Sequence, residues 1–293
     1  MKPYNLFAAL LLAAFMGPAQ ATVITVAQSA LIPTTQLYTD EIGGGIGSVV
    51  VMTGGGNAAG VGNVTGRNDD GFSGPISFGF TGAGMLPFFG QNYSSFYANN
   101  NGNMSFTVGN PAYVPTGTIG AAMPLISIWF GDVDTRASTS GVLHMRQDIR
   151  NETILTWNNV GGYGVRRDFL NTFQMIVRGP DYSIPVGEGA IGFFWLDMPW
   201  GIASHTATAG LGDAAAVGFG DGAGNGVVLE GSNTIGLNSV VAFHKIWFDA
   251  NLAPVCRVGA PDCPNNVLEP ASMALLGIGL AGLGAIRRRK QVA

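Results

Sequence analysis

Nine short apolar segments, each bounded by Gly, Asn, Asp, Ser or Pro, follow one another between residues 75 and 250. In order they are PISFGF, SSFYANNNGNMSFTV, PLISIWFGDV, GVLHMRQ, TILTWNNV, LNTFQMIVRG, AIGFFWLDM, AAVGFGDG and SVVAFHKIWFDA. Runs of this length, rich in β-branched and aromatic residues and separated by turn signals, read as strands. None sustains the 3.6-residue period of an amphipathic helix. In NTFQMIV the alternation puts Phe173, Met175 and Val177 on one face. IGFFWL is apolar at every position, as expected of a central strand covered on both sides. The pattern predicts an all-β fold, a single antiparallel sandwich-like domain or related barrel, over residues 67–250.

Ahead of that domain, residues 22–66 are rich in Thr, Val and Gly, and EIGGGIGSVVVMTGGGNAAGVGNVTG approaches low complexity. Glycine at this density resists helix, and SVVVMT is the one strand expected within it. No Gly-Lys-Ser/Thr follows the glycine runs, so a phosphate-cradling loop has no support and a flexible connection is expected.

The two ends carry signals of their own. Met1-Lys2 is followed by an apolar run from Leu6 to Met16, a Gly17-Pro18 break and the small-x-small triplet Ala19-Gln20-Ala21. This is the layout of a secretory signal peptide over residues 1–21, cleaved after Ala21. The apolar run is too short for a span that needs about 20 residues. Near the other end, Ala271 to Ile286 holds no charge and is followed by Arg287, Arg288, Arg289 and Lys290. As a helix it measures about 24 Å at ~1.5 Å per residue. Snorkelling basic side chains can extend that short membrane span, and the basic cluster holds to the cytoplasmic side. Together, Leu268-Glu269-Pro270, the apolar span and the arginines over residues 268–293 closely resemble the PEP-CTERM sorting signal of Gram-negative, biofilm-forming bacteria. Leu268 stands where that family usually has Pro. The resemblance implies processing by an exosortase, a membrane cysteine transpeptidase, with transient anchoring through the C-terminal span before delivery to the cell surface or matrix.

Between the two signals, fourteen Lys and Arg less the five at the ends leave nine, against eighteen Asp and Glu. The resulting balance near −9 over residues 22–269 argues against nucleic acid or an anionic membrane surface as a partner. Cys256 and Cys263, in CRVGAPDC, read as one small disulfide loop within a 251–267 linker, consistent with an oxidising compartment.

YSSFYANNNGNMSF (93–106), PLISIWFGDVDTR (124–136), TILTWNNVGGYG (153–164), NTFQMIVRG (171–179), IGFFWLDMPWG (191–201) and AAVGFGDGAGN (215–225) occur in that order. Together they resemble the nidogen-like (NIDO) extracellular domain, from about Arg67 to Asp249. Phe130-Gly131 inserts one residue between Trp129 and the acidic pair relative to the family's usual arrangement, as a bulge would. The resemblance implies an extracellular role in adhesion or in a polysaccharide-rich matrix, with exopolysaccharide or cell-surface components as partners.

Catalytic signatures are missing from the sequence. His144, His205 and His244 are dispersed, without the His-Glu-x-x-His zinc pattern, and no Gly-x-Ser-x-Gly elbow exists. Asp132 and Asp134, with Arg136 two positions on, are expected to share a strand face. They read as a structural charge network, as calcium ligands, or as the acid and base of a carbohydrate-active enzyme. Asp69-Asp70-Gly71, Asp213 and Asp221 offer further oxygen ligands in loops, none in a recognised calcium repeat. Trp129, Trp157, Trp195 and Trp247 lie in apolar runs and are expected in the core. Trp200, between Pro199 and Gly201, is a candidate for stacking on a sugar, with loop packing as the alternative. No cofactor is required. The leading expectation is a non-enzymatic, surface-sorted adhesion or matrix protein, with a carbohydrate-active enzyme or a self-assembling matrix component as alternatives.

Overall fold

The computed structural model describes residues 21–56, 62–82, 84–115, 121–163, 166–201 and 214–255. Two large sheets carry the fold. The first runs, in spatial order, through Val23–Val26, Gly226–Leu229, Ala216–Asp221, Pro124–Phe130, Asn103–Ser105, Ser95–Asn99, Gly71–Phe72 and Gly54–Gly55. The second runs through Ile32–Pro33, His244–Phe248, Ile191–Trp195, Arg166–Arg178, Glu152–Gly162, Leu143–Arg146 and Ser48–Val49. Pairing is antiparallel except where Val23–Val26 lies parallel to Gly226–Leu229.

The inner faces of both sheets meet in one core. Ile126, Ile128, Met104, Phe96 and Phe219 come from the first sheet; Leu155, Trp157, Phe173, Met175, Phe193 and Phe248 come from the second. The sandwich follows from the alternation: Phe173, Met175 and Val177 all enter this core, while Ile176 between them faces the other way. Ring contacts act within and between the layers: Trp157 stacks on Phe173 inside the second sheet at 5.1 Å between centroids, and Phe193 stacks across the layers on Phe219 at 5.5 Å. Buried aromatic area on this scale dominates the stability of such a domain. The four tryptophans expected in the core, Trp129, Trp157, Trp195 and Trp247, are each at most 2 % exposed.

Residues 22–66 are not a loose connection. Val23–Val26 forms the edge of the first sheet, while Ile32–Pro33 and Ser48–Val49 close the two ends of the second. A short helix, Tyr38–Ile42, lays Leu37 and Tyr38 over the outer face of the second sheet, against Ile154, Ile176, Phe194 and Trp247. The glycines supply positive φ at Gly43, Gly44, Gly45 and Gly47, the turns that let the chain leave this helix and return as a strand. A second departure concerns SVVAFHKIWFDA. Only His244–Phe248 is strand, and Leu237–Val241 preceding it is a one-turn helix that buries Leu237 and Val241. Apolar residues four apart fit a helical turn as readily as a buried strand in so short a run.

Among the described residues no helix is long and apolar enough to cross a membrane. The Cys256–Cys263 pair, Ala19 of the signal-peptide cleavage triplet and the whole 268–293 signal lie outside the described residues.

Candidate functional site

Three stretches distant in sequence converge beside one end of the first sheet: residues 67–71, the Asn99–Asn103 turn and residues 131–136. The turn is built by its asparagines. Gly102 alone within it has positive φ, at 72°, and the asparagine side chains supply hydrogen bonds instead. Asn99 Nδ2 donates to Asn103 Oδ1 at 2.8 Å and to Ser105 Oγ at 3.0 Å. Asn101 Nδ2 donates to Asp70 Oδ1 at 2.8 Å, and Asn101 Oδ1 accepts from Val133 N at 2.9 Å. A single amide thus ties all three stretches together. Asn100 does the same from the next position, its Nδ2 donating to the carbonyls of Val133 and Asn68. All of Asn99, Asn100, Asn101 and Asn103 are fully buried.

The strand Pro124–Phe130 loses register with Ala216–Asp221 between Ser127 and Phe130 and ends there. Gly131 then turns the chain so that Val133–Asp134 pairs with Gly161–Gly162 of the other sheet, and Asp134 also bridges Asp69. The additional Phe130-Gly131 position therefore carries the chain from one sheet to the other. Thr135 fixes the crossing, exchanging hydrogen bonds with the backbone of Asn68 at 2.7 and 2.9 Å.

This folding brings Asp132 next to Asp69 and Asp70. One carboxylate oxygen from each lies within 4.8 Å of the other two. Asp134 has a different role. Arg136 holds it in a two-pronged pair, Nε to Oδ1 at 2.9 Å and Nη2 to Oδ2 at 2.8 Å, and reaches Asp69 Oδ2 at 2.7 Å. Of the expected Asp132–Asp134 pair, Asp132 turns into the interior, 4 % exposed, and Asp134 is held by Arg136 in a charge network. The nearby Arg67 neutralises nothing in this cluster, since its Nη1 donates to the carbonyls of Thr135, Ala137 and Ser140.

Burial, reinforced by neighbouring Asp70 and Asp69, pushes the Asp132 carboxyl up to about 8. Burial and the Asp134 charge push Asp69 up to about 7, although Arg136 pulls the other way. Asp70 is raised by burial and held back by the Asn101 amide. These are carboxylates concentrated where water cannot solvate them. Hard oxygen donors are what the site offers to a bound group. The sequence pointed to Asp132 and to the loop pair Asp69-Asp70 separately, and only the crossing at Gly131 joins them.

Trp200 is not a surface platform. It is 3 % exposed, its indole Nε1 donates to Val160 O at 3.1 Å, and its ring packs edge-on to Trp129 at 6.3 Å. Asn171 clamps the loop that carries it, accepting from Trp200 N at 3.1 Å and donating to Trp200 O at 2.9 Å. His144 and His244 place Nδ1 at 3.1 and 2.8 Å from the carbonyls of Val142 and Ala242 two residues back, and neither joins the cluster.

Comparison with known proteins bears on both halves of the chain. Residues 51–175 match the family model described as NIDO related, so the match takes in all three converging stretches. It begins before and ends well before the 67–249 expected from the motifs. Residues 269–290 match the PEP-CTERM protein-sorting motif. No curated protein and no solved structure matches the chain. Two segments of the chain are thus similar to known families, 51–175 to the NIDO-related family and 269–290 to the PEP-CTERM protein-sorting motif.

Proposed function

We propose that this is a non-enzymatic protein, exported and processed by an exosortase, whose β-sandwich mediates adhesion or binds the polysaccharide-rich matrix around the cell. The sorting motif at 269–290 is the observation that carries this reading, because it implies export and surface delivery, and a NIDO-related domain is an extracellular module. The charge balance near −9 over residues 22–269 supports a neutral or cation-bridged polymer as partner over a nucleic acid. A binding role also fits the carboxylates. A glycosidase needs two accessible carboxyl groups flanking its substrate, whereas Asp132 is buried and Asp134 is paired with Arg136. The test is retention of the exported protein on purified exopolysaccharide and on sibling cells, beside an unrelated acidic protein of similar size. Retention above that control is expected, and equal retention rejects the proposal.

A further inference from the structure

We propose that Asp69, Asp70 and Asp132 form a calcium-binding site that pins together the 67–71 segment, the 99–103 turn and the 131–136 crossing. Three carboxylates converge, with one oxygen from each within 4.8 Å of the others. Convergence of acids is not sufficient by itself. The second observation is that Asp69 Oδ1 and Asp132 Oδ1, on residues only 6 % and 4 % exposed, are buried and accept no hydrogen bond among the described residues. An uncompensated buried acceptor is costly, and most such atoms in proteins have a partner. A third orphan lies beside them. Asn100 is fully buried and its Oδ1 has no partner among the described residues. Its amide is wedged between the carbonyls of Asn68 and Val133, the residues adjoining Asp69 and Asp132. Three buried oxygens without donors, on Asp69, Asp132 and the asparagine that binds their neighbours, are what a cation would satisfy.

Arg136 does not meet this demand. It reaches Asp69 through Oδ2, grips Asp134 with Nε and Nη2, and lies over the Tyr163 ring. Four aspartates therefore face one guanidinium, and the orphaned oxygens of Asp69 and Asp132 lie outside its reach. The donor set selects the ion. Carboxylate and amide oxygens with no thiolate or imidazole suit a hard cation and disfavour zinc or copper. Between the hard cations, Mg2+ sheds its water reluctantly and demands near-octahedral geometry, while Ca2+ accepts irregular all-protein oxygen sets. Donors drawn from separate chain segments, two of them, Asp69 and Asp132, buried and the third, Asp70, half-buried, favour Ca2+.

The experiment starts from the processed protein stripped with a chelator and dialysed free of it. Calorimetric titration with Ca2+ is expected to give one ion per chain. About 5 mM Ca2+ is expected to raise Tm by about 3–8 °C, from the affinities typical of extracellular calcium modules. Mg2+ should bind at least about tenfold more weakly. Asp69→Asn and Asp132→Asn should each weaken Ca2+ about 10- to 100-fold, whereas Asp148→Asn, at an exposed carboxylate paired with Arg146, should leave it unchanged. Hydrogen exchange on the unaltered protein locates the ion whether or not the variants fold: amides of 67–71, 99–103 and 131–136 should slow on adding Ca2+. No Ca2+ heat or Tm rise, Mg2+ binding as tight as Ca2+, unchanged affinity in both variants, or slowing confined to other segments each overturns the proposal.

Discussion

At Gly102 the backbone turns with φ at 72°, and a β-carbon built there would run into the carbonyl oxygen of Trp129. That same oxygen-bearing strand receives Gly102's own carbonyl as acceptor for Trp129 N at 3.1 Å. Any side chain therefore meets both an unfavourable conformation and a solid wall of backbone. Gly102→Ala is expected to cost about 2 kcal/mol or more, read as a lower denaturant midpoint with an unchanged slope. The aspartates behave differently, because their defect depends on charge. In chelator, with an unfolded value near 3.8 and folded values of about 7 for Asp69 and about 8 for Asp132, the native chain binds more protons than the unfolded one between those limits. Stability from this cluster is accordingly greatest at the acid end of that window and falls as pH rises through it. The chelated protein should show a Tm decline between about pH 5 and 8 that Asp132→Asn flattens. A Tm profile identical in the parent and the variant would contradict the assignment.

The second sheet depends on elements that its sequence does not advertise. The Tyr38–Ile42 helix covers an outer apolar patch, and beneath it Arg178 is fully buried. Its guanidinium donates to Glu152 Oε2 at 2.8 Å, to Glu188 Oε2 at 2.5 Å, to Tyr38 Oη at 2.8 Å and to Gly189 O at 3.0 Å. The ring faces of Tyr182 and Trp247 lie 4.3 and 4.4 Å from its carbon centre. Removing the arginine alone strands Glu152 in the interior, so Arg178→Met should lose about 3–5 kcal/mol, and adding Glu152→Gln should recover part of it. Urea unfolding of the two variants checks the coupling. A chain begun at residue 51, where the family match starts, lacks Leu37, Tyr38 and the edge strand Val23–Val26. It should unfold at lower temperature and bind an apolar dye that the chain begun at residue 22 does not. The strand runs were legible because period-two alternation and full burial leave distinct patterns, as Phe173, Met175 and Val177 show. Residues 22–66 were not, since a glycine-rich composition looks alike whether its turns lead into solvent or back into a sheet.

Across the whole molecule, local signals were readable and their meeting was not. Arg67 to Gly71, Asn99 to Asn103 and Asp132 to Arg136 are each conspicuous as motifs, yet which carboxylate faces which is set by the sheet switch at Gly131. Alternation along a continuous strand placed Asp132 with Asp134. With the strand ending at Phe130, Asp132 also meets Asp69 and Asp70, and Arg136 pairs with Asp134. The sorting motif is legible for the opposite reason, because its three parts act in linear order and need no tertiary fold. That difference yields a test at the scale of the cell. If the basic cluster holds the span in place, changing Arg287, Arg288 and Arg289 to Ser removes the charges that resist translocation, and the ratio of membrane-bound to released protein should change. Replacing Glu269 and Pro270 with Ala attacks recognition and leaves the apolar span and its charges intact, so that variant should remain uncut, with an intact mass that retains the 271–293 segment, and should fractionate with membranes. Intact mass measurement together with fractionation separates the two effects: altered topology from the arginine variant, blocked processing from the Glu269-Pro270 variant. A cleaved, released product from the second would show that the motif at 269–290 does not govern delivery, and the surface role would lose its support.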